Sequence, residues 1–523
     1  MKSSIKLLTF ASIATLLFTS CNEDYMNTFP TASTSTETIF QDTDAAKMAI
    51  NGMARLMVNQ FHSTQTSCGE GTIKFLHGEY MGEHFSRPKL TGWYTVMNGI
   101  FMDNDNSYYT RYPWAYYYML IGNANSFIAN IDNAAGLEAE RQFLKAQALT
   151  YRAFAYSQLI NFYCYRWDDS NNGTSVKYPT DGLILRTEEN MEEKDLPLSS
   201  SGEIYKQVYR DLDEAISLYT ASGLKRDKVW EPNVNVAHAV YARAAITRKD
   251  YATAAANAAS ARIGFPLMSN ADYYAGFSQP NGEWIWGSYG GTDQTLYFYG
   301  FHSYMAYDAN TSVMRTNPVS MSKKLYEKIA DTDIRKGLFL NPADYGEYNK
   351  TTGYYAIKGD DAVAVRKLHP TMLATHNVTV CHSFKYSIGG DIGIGYINHF
   401  RSSEMMLIEA EAKYFLGDET AAQVLLNTLV RDSKRDEAYT CTATGTDLLA
   451  DIKFYRAIEL WGEGFDWLDK KRWNEPLVRA SFAEDGNFAT EMAKTFDVDY
   501  KNRWTYMTPL VESESNGGLK VAN

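Results

Sequence analysis

Cysteine and proline are scarce in this chain, cations are outnumbered, and no apolar run is long enough to cross a bilayer. Only five cysteines occur in 523 residues. Cys68, Cys164, Cys381 and Cys441 are widely scattered with no C-x-x-C pair, so neither a zinc ribbon nor a dithiol redox motif is suggested. A structural disulfide and buried free thiols both stay open. Lys plus Arg number 50 against 62 Asp plus Glu, a net charge of -12. Dropping the first twenty residues, which hold Lys2 and Lys6 and no acid, takes it to -14. General affinity for nucleic acid or anionic headgroups needs a surplus of cations, so the charge argues against both. A mean hydropathy of -0.36 rules out a polytopic membrane protein. The 45% of hydrophobic residues still allows a sizeable core, in several domains or one large solenoid. What is abundant is aromatic: Tyr 38, Phe 25 and Trp 10 make 14% of the chain. Tyr and Trp join a rigid apolar face to a polar tip, which suits recognition surfaces as well as cores.

Met1 to Lys6 is a short basic start and Leu7 to Thr19 an apolar run. A span needs about 20 apolar residues, so this one reads as a signal peptide. Its end, Leu17-Phe18-Thr19-Ser20-Cys21, resembles the lipobox of bacterial lipoproteins, with Phe18 where Leu is usual. The resemblance implies acylation of Cys21, and two or more chains at about 0.8 kcal/mol per buried methylene make a stable anchor. The acidic Asn22-Glu23-Asp24 that follows resembles a surface-export signal, which implies the outer face of an outer membrane.

The body of the chain has helical periodicity. Leu144, Ala148, Tyr151, Ala155, Leu159 and Phe162 form one stripe of a helix over Leu137 to Tyr163, and Ala146, Leu149, Ala153, Tyr156, Ile160 and Tyr163 form a second. Two apolar stripes require neighbours on two sides, as in a stacked helical array. Further helices are predicted over Asp44–Gln60, Trp114–Ile131, Ser201–Tyr219, Val236–Ile246, Asp250–Arg262, Ser402–Leu416 and Thr420–Ser433. Ser201 with Glu203 reads as a helix start. Phe454, Ile458, Trp461, Phe465 and Leu468 keep the same period near the C-terminus. Lys249 to Ala255 looks like a tetratricopeptide turn, but the roughly 34-residue period of such repeats is not kept, so the repeats are degenerate. Two stretches, Asn59 to Arg111 and Gly264 to Phe400, break the pattern with Gly and aromatic clusters. Long irregular insertions in a helical protein are usually functional.

Arg152-Ala-Phe-Ala-Tyr156-Ser-Gln-Leu159-Ile-Asn-Phe-Tyr163 resembles a signature segment of the SusD/RagB family, with Cys164 where Gly is usual. Gly182 to Leu185, Leu196-Pro197-Leu198-Ser199, Asp211 to Ala215, Lys324-Leu325-Tyr326 with Asp333-Ile334-Arg335, and Glu409 to Ala412 follow in the family's order. Arg456-Ala-Ile-Glu459-Leu-Trp-Gly-Glu463-Gly-Phe465-Asp466-Trp-Leu-Asp469-Lys-Lys-Arg472-Trp473 is the strongest match. Its departures are Tyr455 and Ala457, where Glu and Arg are common, and Asp466, where Arg is common.

The resemblance implies a mostly α fold, a tetratricopeptide-like superhelix of helix pairs carrying a loop-rich lobe. We expect a signal peptide at 1–20, a lipidated tether at 21–40, helical regions at 41–263 and 401–523, and the lobe at 264–400. It further implies an outer-membrane lipoprotein of Bacteroidetes that captures oligosaccharide, or in some cases peptide, for a SusC-like TonB-dependent transporter, with no cofactor and no chemistry.

Other readings of the same residues are a glycosidase on a helical scaffold and a tetratricopeptide scaffold for protein alone. Glu409, Glu411, Glu459, Glu463, Asp466 and Asp469 could include a hydrolytic carboxylate pair. Basic residues three or four places away favour charge pairing instead. His77-Gly-Glu79-Tyr-Met-Gly-Glu83-His84 holds possible ligands but lacks H-E-x-x-H, so no metal site is assigned. Gly389 to Gly395 fails as G-x-G-x-x-G at Asn398 and reads as a turn, and no G-x-S-x-G elbow exists. The aromatic clusters carry the functional signal: a ring takes the apolar face of a pyranose out of water, worth on the order of 1 kcal/mol per stacked sugar. The glycan-binding candidates are Arg87, Trp93, Tyr94, Asn98 and Asp103 in the first irregular stretch, and Trp284, Trp286, Tyr289, Tyr297 and Tyr299 in the second.

Overall fold

In the computed structural model, residues 36–59, 67–290, 300–344, 357–390 and 394–521 are described. Cys21, Tyr297 and Tyr299 lie outside them. The longer helices are α1 (Thr43–Leu56), α2 (Tyr108–Asn130), α3 (Glu138–Tyr163), α4 (Ser201–Ser222), α5 (Val234–Thr247) and α6 (Tyr251–Ala261). They continue with α7 (Gly359–Leu368), α8 (Ser402–Phe415), α9 (Glu419–Asn427), α10 (Gly445–Glu459) and α11 (Asp466–Trp473). Neighbours in the sequence are neighbours in space: α2 packs on α3, α3 on α4, α4 on α5, α5 on α6, α6 on α8, and α8 on both α9 and α10. The molecule is a mostly helical, tetratricopeptide-like stack. Among the described residues no helix is long and apolar enough to cross a membrane.

Helix α3 explains the stack. Both of its apolar stripes are buried, and the helix packs against α2, α4 and α5. Arg152 sits mid-helix at 1% exposure, which is tolerable because every edge of its guanidinium is used. It donates to Asp211 on α4 from Nε and Nη2 (2.8 and 2.7 Å), to Asn125 on α2 (2.8 Å) and to Glu188. The most recognisable residue of the sequence thus cross-links three elements.

The structure corrects four sequence readings. Helix α2 starts six residues before Trp114, because Ser107 caps it, accepting the N–H of Tyr109 (3.2 Å), and Pro113 is carried inside the helix. The cap of α4 is Ser200 rather than Ser201, and with Glu203 it forms a reciprocal capping box: Ser200 N–H to Oε2 at 2.8 Å and Glu203 N–H to Oγ at 3.3 Å. The helix read to Ser433 is α9 followed by a π-helical turn, Thr428–Asp432. The stripe from Phe454 to Leu468 is two helices, α10 and α11, separated at Gly462 and Gly464, whose φ values of 78° and 94° disfavour other residues. Gly464 also approaches Gly78 so closely that a Cβ on Gly78 would stand 2.5 Å from its Cα.

Of the short strands β1 (Phe85–Ser86), β2 (Leu183–Ile184), β3 (Leu198–Ser199), β4 (Trp284–Gly287), β5 (Ser320–Met321) and β6 (Asn398–Arg401), the lobe contributes β4, β5 and nearly all of β6, in two sheets. The sheet that matters most pairs β4 (Trp284–Gly287) with β6 (Asn398–Arg401) antiparallel, with Trp284 opposite Arg401 and Trp286 opposite Phe400. All eight residues of the pair are buried, so both faces of the ladder are covered. A small second core gathers Leu340, Ile357, Val365, Val378 and Phe384.

Candidate functional site

Covered on both faces, β4 cannot offer its rings to solvent. Trp284 and Trp286 are 1% and 0% exposed. Trp286 is boxed by Tyr151, Phe154, His399 and Phe400. Two candidates of the first stretch are equally sealed. Arg87 donates to the carbonyls of Asn317 and Tyr304 (3.0 Å for the latter) and lies over the ring of Tyr80. Asn98 donates to the carbonyl of Glu491 (3.0 Å) and accepts from Arg479 (3.2 Å). For these four the expectation of a glycan contact is corrected: strongly hydrogen-bonding or large apolar groups were recruited to the core. Trp93 is half-buried, edge-on to Tyr80, Tyr109 and Tyr304. Tyr94 is 41% exposed, and Asp103 is exposed and paired with Lys501. Among the described residues no ring contact links Trp93 or Tyr94 to Tyr289.

Tyr289 leads to a different site. It follows β4 and stands edge-on to Trp230 (5.1 Å between centroids, 89°), while Tyr396, just before β6, lies nearly parallel to the same indole (6.5 Å, 25°). All three rings are partly exposed. The loop that carries Trp230, between α4 and α5, is held from beneath. Arg226 Nη1 donates to the carbonyls of Ile285 (2.6 Å), Glu231 (3.3 Å) and Val229 (3.4 Å). Buried Glu231 accepts the N–H groups of Asp227 (2.8 Å) and Lys228 (3.2 Å). The carbonyl of Trp230 itself accepts Nε1 of Trp286 at 3.0 Å. The buried tryptophan of β4 therefore fixes the surface one. Lys228 Nζ lies 6.0 Å from the centre of the Trp230 ring, a cation beside the platform. The geometry suits a flat, partly apolar ligand face, because the surface is rigid before anything binds. Trp230 and Tyr396 were not among the sequence candidates; the signal available was a Trp within the charged, helix-breaking stretch Lys228-Val-Trp-Glu-Pro.

The carboxylates of the C-terminal motif are engaged elsewhere. Arg401 of β6 donates to Glu283, Glu459 and Glu463 (3.0, 2.7 and 2.8 Å), Arg335 reaches Glu459 (2.9 Å), and Lys385 reaches Glu463 (2.7 Å). Burial alone would raise the Glu459 and Glu463 carboxyls, but Arg401 and its fellow cations outweigh it and hold both below the usual range, Glu463 at about 2. Asp469 pairs with Arg456 and Arg472, Glu411 with Arg472, and Glu409 with Arg262. Asp466 differs: it accepts the N–H of His84 (2.6 Å) and faces the His84 ring at 3.8 Å. Of the histidine-rich segment, His77 is buried against Tyr506 (3.1 Å), and burial lowers it to about 3. Among the described residues no group of three or more His, Cys, Asp and Glu could hold a metal ion. Cys68, Cys164, Cys381 and Cys441 are free and buried.

Comparison with known proteins follows the same lines. No protein of curated function matches the sequence. A SusD-like carbohydrate binding protein from Bacteroides vulgatus is 24% identical, with 92% of this chain and 98% of that one covered at a TM-score of 0.74. A putative sugar binding protein from the same species is 17% identical, with 92% and 98% covered at 0.69. A SusD superfamily protein from Bacteroides thetaiotaomicron is 20% identical, with 91% and 99% covered at 0.69. A family model described as starch-binding associating with outer membrane matches residues 31–246, and the model described as the SusD family matches residues 246–517. With more than half of its length matched by that second model, the chain belongs to the SusD family.

Proposed function

We propose that this protein captures oligosaccharide at the outer face of an outer membrane, tethered by acyl chains on Cys21, and releases it to a SusC-like TonB-dependent transporter without altering it. The reading is supported by the family, by relatives whose names include sugar and carbohydrate binding, and above all by the rigid ring trio Trp230, Tyr289 and Tyr396. At about 25 cal/mol per Å2 each stacked sugar gains on the order of 1 kcal/mol. Two or three rings with a few hydrogen bonds, less the cost of association, give a dissociation constant of roughly millimolar to micromolar. Weak capture suits a carrier that must give up its cargo. Contact with a transporter as a stable pair would bury more than about 1,000 Å2.

Affinity electrophoresis in polysaccharide gels tests the site. Wild-type protein is retarded by at least one glycan and Trp230→Ala migrates as in a blank gel. Equal retardation of the two, with Tyr289→Ala and Tyr396→Ala also unchanged, defeats the assignment. Release of new reducing ends, lost on a single carboxylate substitution, would defeat the binding-only reading. For the tether, Cys21→Ser moves the protein from the membrane fraction to the soluble one.

A further inference from the structure

Away from the ring trio, a cavity of about 460 Å3 lies between α10, the start of α11 and the chain from Glu79 to His84. That is the size of many small-molecule sites. Phe454, Phe465 and Trp461 form apolar wall, and the short side chains of Ala450 and Ala457 on α10 leave the space open. Two charged residues in the wall are incompletely partnered. Arg456, 3% exposed, donates from Nε to Asp469 (2.6 Å), while its Nη1 has no hydrogen-bond partner among the described residues. Glu79, 1% exposed, accepts the N–H groups of Gly464 and Phe465 on Oε1, while its Oε2 has none. A buried polar atom left so costs about 1–3 kcal/mol. Burial and the nearby Asp466 charge raise Glu79 to about 8, so near neutral pH it is mostly a carboxylic acid, able to give a hydrogen bond as well as take one.

The missing partner must therefore offer an acceptor to Arg456 and a polar group to Glu79, and a hydroxylated molecule offers both. Charge argues against an anion. Glu83 and Asp466 are in the same wall, Lys453 and Lys470 are already paired with Glu475 and Glu83, and the remaining lysine of the lining, Lys328, is exposed to solvent. We propose that this cavity is a second binding site, for a neutral polyol of monosaccharide size, whose apolar face lies on Phe454, Phe465 and Trp461 and whose hydroxyls meet Arg456 and Glu79. None of its residues belongs to the ring trio, so it stands or falls independently of the site at Trp230.

Saturation-transfer NMR on full-length protein tests it, with glucose, galactose, mannose and fucose as probes and glucuronate as the anionic control. All measurements use a Trp230→Ala background, which removes the central ring of the trio. At least one neutral sugar receives saturation, and adding Ala457→Phe or Ala450→Trp, which fill the floor and the mouth, weakens binding about tenfold or more. Ala450 is exposed on α10, so its variant leaves the core untouched if Ala457→Phe fails to fold. The proposal is overturned if no neutral sugar receives saturation, if the signal survives the filling variants, or if glucuronate is preferred. Loss of polysaccharide retardation in Trp230→Ala bears on the other site alone.

Discussion

Glu79→Gln should stabilise this protein, and increasingly so as the pH rises. Glu79 is buried, takes two backbone N–H groups on one oxygen, and is raised to about 8 first by burial and then by Asp466. Between its ordinary value of 4.5 and about 8, the folded protein keeps a proton that the unfolded chain has released. Stability contributed by that proton is complete below the ordinary value and is lost as the pH climbs toward the folded one. The slope is about 1.4 kcal/mol per pH unit, so the loss between about pH 5.5 and about pH 7.5 is near 3 kcal/mol. Glutamine keeps the acceptor for Gly464 and Phe465 and places an N–H where the acid proton was, without titrating. Glu70, also raised by burial, to about 7, is present in both proteins and cancels in the difference. Urea denaturation of wild type and variant across that interval gives the difference directly. The variant's advantage grows by roughly 2–3 kcal/mol from the lower pH to the higher. A difference constant to within about 0.5 kcal/mol, the scale of the extrapolation error, refutes a protonated Glu79.

Trp286→Ala empties a site closed by four rings and lowers stability by about 3–5 kcal/mol, read as an earlier urea midpoint, whereas Trp230→Ala leaves the midpoint within about 1 kcal/mol. A similar midpoint for both would mean that Trp286 is not the core residue. Arg401→Met strands Glu283, Glu459 and Glu463 in the interior and costs about 3–5 kcal/mol, checked by the same titration; a loss below about 1 kcal/mol would show the network to be dispensable. The four described thiols stay silent to Ellman's reagent until guanidinium is added, because burial pushes Cys68 up to about 12 and raises Cys164 and Cys381 further. Rapid reaction of the native protein would contradict that.

The helical stack was legible because α3 must bury two stripes, and a pattern so restrictive has few solutions. The helix limits were less so: Ser200 against Ser201 is a choice between adjacent hydroxyls that only the N–H direction settles. The break after Glu459 was hidden because the apolar spacing continues through Gly462 and Gly464, and periodicity does not register a reversal of φ. The rings were the hardest to place. Trp284-Ile285-Trp286 reads equally as an exposed platform or as a strand with both faces covered, and the deciding fact is its pairing with residues 398–401, more than a hundred positions away. Trp230 gives no cluster signal because it is single, although a lone indole in a charged loop has no local core to fill.

The charged network gives these placements a common cause. Arg401 joins β6 to β4 through Glu283 and to the C-terminal motif through Glu459 and Glu463. Trp286 on β4 holds the carbonyl of Trp230, so the surface ring is anchored through one strand to the same buried salt bridges that tie the lobe to the stack. The cavity by α10 is lined by residues of the same C-terminal motif. Ala457 leaves volume in its wall, and Asp466 adds a negative charge to it. That charge adds to burial in keeping Glu79 protonated, while Oε2 of Glu79 meets no hydrogen-bond partner among the described residues. Space and unfilled hydrogen bonds therefore meet in one wall. The rest of the motif, already locked in ion pairs, keeps the walls in place without needing a ligand.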